Sequence, residues 1–221
     1  MAVLGLDGWR GAWAGALLDG GDVTLLALGD AATALALPGV DVVAVDMPIG
    51  LSEDGARACD VAARRLLGRA GSSVFPAPLR PVLAAADYAE ACRLSVAASG
   101  RALSKQAWFL VPAIRSVDDA LGDPPDPRVH EVHPELAFRA LDDRVRDPKV
   151  TARGLAQRLA ALRPVMDVDR ALAEAPPRLP AVDALDACAA AWSAQRIAAG
   201  TAECVGDDAR DSRGRPMRIS F

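Results

Sequence analysis

Val3-Leu4-Gly5-Leu6-Asp7 is a short apolar run that ends on an acid, the pattern of a buried strand leaving a sheet. Residues 8–11 form a glycine-bounded turn, and Ala12-Trp13-Ala14-Gly15-Ala16-Leu17-Leu18 predicts a second strand. Asp19-Gly20-Gly21-Asp22 is a strong hairpin signal, since tight β-turns need backbone angles that glycine adopts without strain. Residues 23–28 return as a third strand. A short helix over 30–37 is expected, with Asp30 as its cap. Residues 40–45 predict a fourth strand, which again ends on an acid, Asp46. The opening therefore has the order β-β-β-α-β.

Composition bounds what such a chain can be. Of 221 residues 52% are hydrophobic and only 4% aromatic, so a large core is available and is filled by Ala, Leu and Val. Disorder through low hydrophobicity is excluded. The net charge of -4 and pI near 5.2 argue against a protein that coats nucleic acid by bulk charge. Positive charge is almost all arginine, with Lys105 and Lys149 the only lysines. Cys59, Cys92, Cys188 and Cys204 match no zinc or disulfide spacing. No basic segment precedes the first apolar run, and no apolar run approaches the roughly 20 residues that span a bilayer. A cytoplasmic protein with no membrane partner is expected.

Further along, helical periodicity covers 57–67, and glycines, serines and prolines make 68–81 a loop. Residues 82–121 are expected as helical pieces broken near Gly100 and Pro112. A proline-rich turn at 123–127 precedes a fifth strand over 128–132. Helices follow at about 135–142, 150–162 and 182–199, with a weaker one between. The polar tail offers one edge strand, 217–221. This order matches the RNase H-like fold: three antiparallel strands, two more parallel to the first, and flanking helices. The whole chain then forms one domain, with a helical insertion at about 52–125 between strands 4 and 5. Other α/β folds share the same elements.

The acids suggest the chemistry. If strands 1 and 4 are parallel neighbours, Asp7 and Asp46 lie side by side at one sheet edge. Like charges that close are unfavourable without a cation, and oxygen ligands of this kind suit Mg²⁺ or Mn²⁺. Asp183 and Asp186 sit three apart near the start of the last long helix and share a face. In the RNase H-like arrangement they join Asp7 and Asp46, a set suited to two-metal phosphodiester hydrolysis. Asp7 before Gly8, and Asp183 near a helix start, also fit turn and capping roles. Glu131-Val132-His133-Pro134-Glu135 places an acid and a histidine at a strand end, where the imidazole is a proton carrier or a structural hydrogen-bonding group. Arg57 and Arg64 share a helical face, and Ser72, Ser73 and Phe75 follow in the next loop. Together they are candidates for holding a phosphate backbone and stacking a base; a solvated helix face beside an ordered loop is the plainer reading. Gly5, Gly8 and Gly11 do not make a dinucleotide fingerprint, because Gly11 opens a strand and not a helix.

These segments resemble a family of predicted RNase H-like nucleases, domain-of-unknown-function family 429. The resemblance is carried by residues 5–13 around Asp7, Val45-Asp46-Met47-Pro48-Ile49-Gly50-Leu51, and Arg57-Ala58-Cys59-Asp60 with Arg64. Ser72-Ser73-Val74-Phe75 with Pro78, Gln106-Ala107-Trp108, residues 131–135, and Asp183-Ala184-Leu185-Asp186-Ala187 continue it. It implies a metal-dependent nuclease or phosphodiesterase using Mg²⁺ or Mn²⁺. Asp7, Asp46 and Asp186 would be metal ligands, Asp183 or Glu131 would complete the shell, and His133 would assist. The partner would be a nucleic acid or a small phosphoester. Ala181-Val182 stands where a more acidic run is expected, which makes Asp186 the firmer of the two helix acids. A phosphotransferase of the actin-like type needs two such domains and does not suit this length. A non-catalytic nucleotide- or metal-binding module on the same fold is the alternative.

Overall fold

In a computed structural model that describes all 221 residues, β1 (Ala2–Trp9) is the middle strand of a five-stranded sheet. On one side β2 (Ala12–Asp19) and then β3 (Asp22–Leu28) add as antiparallel hairpins. On the other, β4 (Val42–Val45) and then β5 (Val129–Glu131) add parallel, giving the order β3-β2-β1-β4-β5. Arg10 and Gly11, at φ 50° and 79°, make the first hairpin turn; positive φ at both central positions matches the strand twist. Helix α1 (Ala31–Leu35) is capped by Asp30, whose carboxylate accepts from Thr33 N at 2.8 Å.

The chain forms two compact units. One comprises Pro48–Asp126 and Val205–Ile219 and contains α2 (Ala58–Leu67), α3 (Tyr88–Ser99) and α4 (Lys105–Ala120). The expected loop after α2 is partly coiled into 3-10 turns at Gly68–Ser73 and Arg80–Ala84. Gly100, at φ 72°, ends α3 as expected, but Pro112 does not break α4. Val111 and Ile114 are both buried and anchor the helix on either side of the missing N–H, offsetting its cost of roughly 3 kcal/mol.

The remaining unit holds the sheet, with α5 (Pro134–Leu141), α6 (Ala152–Leu162), α7 (Val168–Ala173) and α8 (Ala181–Ala198). Helix α8 lies across β1, β2 and β4. Its Ala184, Ala187, Ala190, Ala191 and Ala194 are buried against Val3, Ala14, Ala16 and Ala44 of the sheet. Small side chains on both surfaces explain how a core with so few aromatics closes.

The tail departs from expectation. It makes a two-stranded sheet of β6 (Cys204–Arg210) and β7 (Pro216–Ser220), where one edge strand was expected. Residues 204–210 lack apolar alternation, so nothing in their pattern announces a strand. The hairpin is held by charge. Asp211 accepts from Leu51 N at 3.0 Å and from Arg215 N at 2.9 Å. Arg80 pairs with Asp211 and, at 3.2 Å, with Asp118, which also takes Arg213 at 2.7 Å.

Candidate active site

Parallel pairing of Leu6 with Val45 puts the next residues, Asp7 and Asp46, in one row, and Asp46 N donates to Leu6 O at 2.8 Å. Residues in one row of a sheet project from the same face, so the two carboxyls meet. At that separation the two groups act on each other's acidity.

Helix α8 supplies the third and fourth acids, and Gly5 sets how close it comes. A Cβ on Gly5 would stand 2.1 Å from Ala191 N and 2.2 Å from Ala187 O. The helix backbone therefore rests directly on β1, two residues before Asp7. Asp186, next to Ala187, is thereby brought to the strand end and is 1% exposed. Its Oδ2 accepts from Lys149 Nζ, while its buried Oδ1 has no hydrogen-bond partner. Asp183, one turn earlier, is half-buried and also acts on Asp7.

The acidity of these groups records the crowding. Asp7 is raised well above the ordinary carboxyl range by burial, then by the charges of Asp46 and Asp186. Asp186 is raised to about 6, chiefly by burial, against the pull of Lys149. Asp46 is raised by burial, with His133 and Lys149 opposing. Asp183 is raised by its desolvation, and Lys149 and Arg10 oppose the shift. Lys149 itself is raised above the usual lysine range: burial alone would lower it, but Asp186, Asp7 and Asp46 outweigh that. Mutually raised carboxyls around one cation, at the ends of two parallel strands, mark a candidate active site.

A family model described as "Protein of unknown function (DUF429)" matches residues 5–211. The chain belongs to that family. No curated protein and no solved structure matches it. The matched span contains every acid of the site, from Asp7 to Asp186, together with Lys149.

The donor set fits a hard divalent cation in its chemistry. Asp7, Asp46 and Asp186 offer carboxylate oxygens only, and Asp186 Oδ1 is a buried acceptor with nothing to accept from. No three of the His, Cys, Asp and Glu side chains are grouped as ligands of one ion in this structure. The charge among the acids is instead the Lys149 ammonium.

Other expected residues are placed differently. Glu131 pairs in register with Val45, so it shares a row with Leu6 and projects from the face opposite Asp7 and Asp46. That removes it from the acid cluster and leaves Asp183 as the fourth acid. His133 lies beside Asp46, as the cap position of α5, and Glu135 also acts on Asp46. Arg57, expected on a substrate-facing rim, is 4% exposed. It is an internal clamp: Nη2 pairs with Asp60 at 2.5 Å, and Nη1 donates to Ile49 O and Gly50 O at 3.1 Å. Arg64 is exposed and donates to Val74 O at 3.2 Å. Ser73 Oγ donates to Ala70 O at 2.8 Å, while Ser72 and Phe75 are exposed.

Lys149 is the site residue that motif reasoning misses. It lies in a loop between α5 and α6 and belongs to no recognisable spacing. The one available signal was compositional: a lysine is rare in this chain, which has 2 among 25 basic residues.

Proposed function

We propose that the chain is an RNase H-like, divalent-cation-dependent phosphodiesterase acting on a nucleic acid or a small phosphoester. The observation that supports this reading is the meeting of Asp7 and Asp46, at adjacent parallel strand ends, with Asp186 from the helix laid across them. The strand order β3-β2-β1-β4-β5, with the first three strands antiparallel, agrees with the RNase H-like fold. No helix of the chain is long and apolar enough to cross a membrane.

Asp7, Asp46 and Asp186 would hold Mg²⁺ or Mn²⁺, with Asp183 at the edge of the set. The bound ion would supply Lewis acidity and a water acidified toward neutral pH. The chain's own groups do the rest. Asp7 and Asp46, side by side at the sheet edge, would be the pair of carboxylates that holds the ion. His133, beside Asp46, is placed to take a proton from a water or hand one to a leaving oxygen. Arg10, exposed in its turn and acting on Asp183, is a cation available to a phosphate at the rim.

The test is hydrolysis of single- and double-stranded DNA, RNA, branched junctions and an activated small phosphodiester, with Mg²⁺, Mn²⁺ or a chelator. Metal-dependent turnover is expected for at least one of them. Asp46→Asn should lower it by about 100-fold or more, the usual scale for losing a group that organises transition-state charge. Metal binding without turnover on any of these substrates would favour the non-catalytic binding module.

A further inference from the structure

We propose that Lys149 is the site's built-in counter-ion: its ammonium, carried on a braced loop, holds the place that a divalent cation takes among Asp7, Asp46 and Asp186, and cation entry displaces it. The inference rests on the divalent-cation reading above and adds to it a residue that controls occupancy.

The geometry carries the argument. Lys149 Nζ bonds Asp186 Oδ2 and is drawn by Asp7 and Asp46 as well. It satisfies one oxygen of Asp186 and leaves the other without a partner. A lone ammonium thus does part of what a cation ligated by several carboxylates would do. The Asp186 side chain is 1% exposed, while that of Lys149 is 41% exposed. The lysine therefore reaches in from the solvent side and has open space to return to.

The backbone beneath it is fixed. Thr151 donates to Pro148 O from both N and Oγ1, at 2.9 and 2.8 Å. Arg158 Nη1 donates to Asp147 O at 2.9 Å, and Gln157 Nε2 donates to the Asp147 carboxylate at 2.7 Å. Gly154 lets the loop lie flat on α6, since a Cβ there would stand 2.1 Å from Pro148 O. Arg158 is anchored in turn by Glu135 at 2.5 Å. With the loop held, release of the ammonium needs only rotation about the lysine stem. Lysine suits this task better than arginine: it is a compact point charge on a flexible chain, without the planar fork that locks onto a carboxylate.

The consequence is a site in which the acids are partly offset from within, so that metal binding is weaker than the acids alone would give. Calorimetric titration of the full chain with Mn²⁺ tests it, comparing the parent with Lys149→Met. Removing the competitor should tighten Mn²⁺ binding about tenfold, the scale of one charge-assisted contact. If the parent binds Mn²⁺ and the variant binds it equally or more weakly, Lys149 is no competitor, and the cation reading stands without it. If neither binds at millimolar Mn²⁺, the cation reading fails and takes this inference with it.

A second measurement needs no variant. Reductive ¹³C-methylation keeps the lysine charge and labels two lysines and the N-terminal amine. Addition of Mg²⁺ should shift the Lys149 resonance and leave that of exposed Lys105 in place. Calorimetric Mg²⁺ binding with an unmoved Lys149 signal would equally overturn the displacement.

Discussion

Gly5→Ala yields no folded sheet unit. Its new methyl carbon would stand 2.1 Å from Ala191 N, 2.2 Å from Ala187 O and 2.7 Å from Ala190 C. All three are backbone atoms in the middle of an 18-residue helix, so no side-chain rotation relieves the clash. Relief requires lifting α8 from β1, which opens the alanine-lined seam that makes up much of this core. The expected cost is about 4 kcal/mol or more, in the range reached only when packing is broken outright. Gly21→Ala is the matched control: nothing lies within 4 Å of a Cβ there, and its effect should be within about 0.5 kcal/mol. Soluble yield and urea unfolding followed by circular dichroism would report both. A Gly5→Ala protein as stable as its parent would show that α8 is not seated on β1 as described. Any partly folded product should also fail to gain stability from Mn²⁺, because lifting the helix carries Asp186 away from Asp7.

The sheet was legible because it obeys local rules. Alternation of turn glycines with short apolar runs marks β1 to β4, and the order of elements, matched to the RNase H-like arrangement, pointed to the parallel pairing of β1 with β4. What the sequence hides is of three kinds. Strand β6 is polar and held by Asp211, Arg80 and Asp118, partners far away in the chain, so no local pattern reveals it. The face on which Glu131 projects depends on register with Val45, and a shift of one residue would have reversed it. Arg57 and Arg64 look equivalent by helical spacing. One is a buried clamp on Asp60 and the other is exposed, because Arg57 alone stands at the helix start with the carbonyls of Ile49 and Gly50 in reach. Asp7 and Asp46 were readable because each closes a short apolar run, and Asp186 because it shares a helical face with Asp183 three residues earlier. Lys149 was not, because a loop brings it in.

Asp186→Asn stabilises the metal-free protein at neutral pH. In the folded chain this carboxyl is raised to about 6, against about 3.9 for an unperturbed aspartate. A group raised on folding supports the fold fully below its unfolded value, and that support is lost as pH rises through the folded value. The parent should therefore lose stability between about pH 4 and pH 7, as burial and its acidic neighbours oppose the charge on Asp186. Asparagine fills nearly the same volume and cannot ionise. Its gain at pH 7.5 should be roughly 1–3 kcal/mol, the linkage value reduced by the lost pairing with Lys149. The gain should disappear by about pH 4, where the parent carboxyl is protonated as well. Urea unfolding of both proteins in chelator at pH 4, 6 and 7.5 measures it. A variant destabilised equally at all three would mean that Asp186 is a structural partner of Lys149, held in place by that pair. With Mn²⁺ present the order should reverse, since on the proposed reading the cation would stabilise only a chain that retains the carboxylate. On the divalent-cation reading proposed above, a buried carboxyl that weakens the empty protein, with one oxygen left unpartnered, is kept for a ligand, and the reversal on adding metal distinguishes that explanation from packing alone.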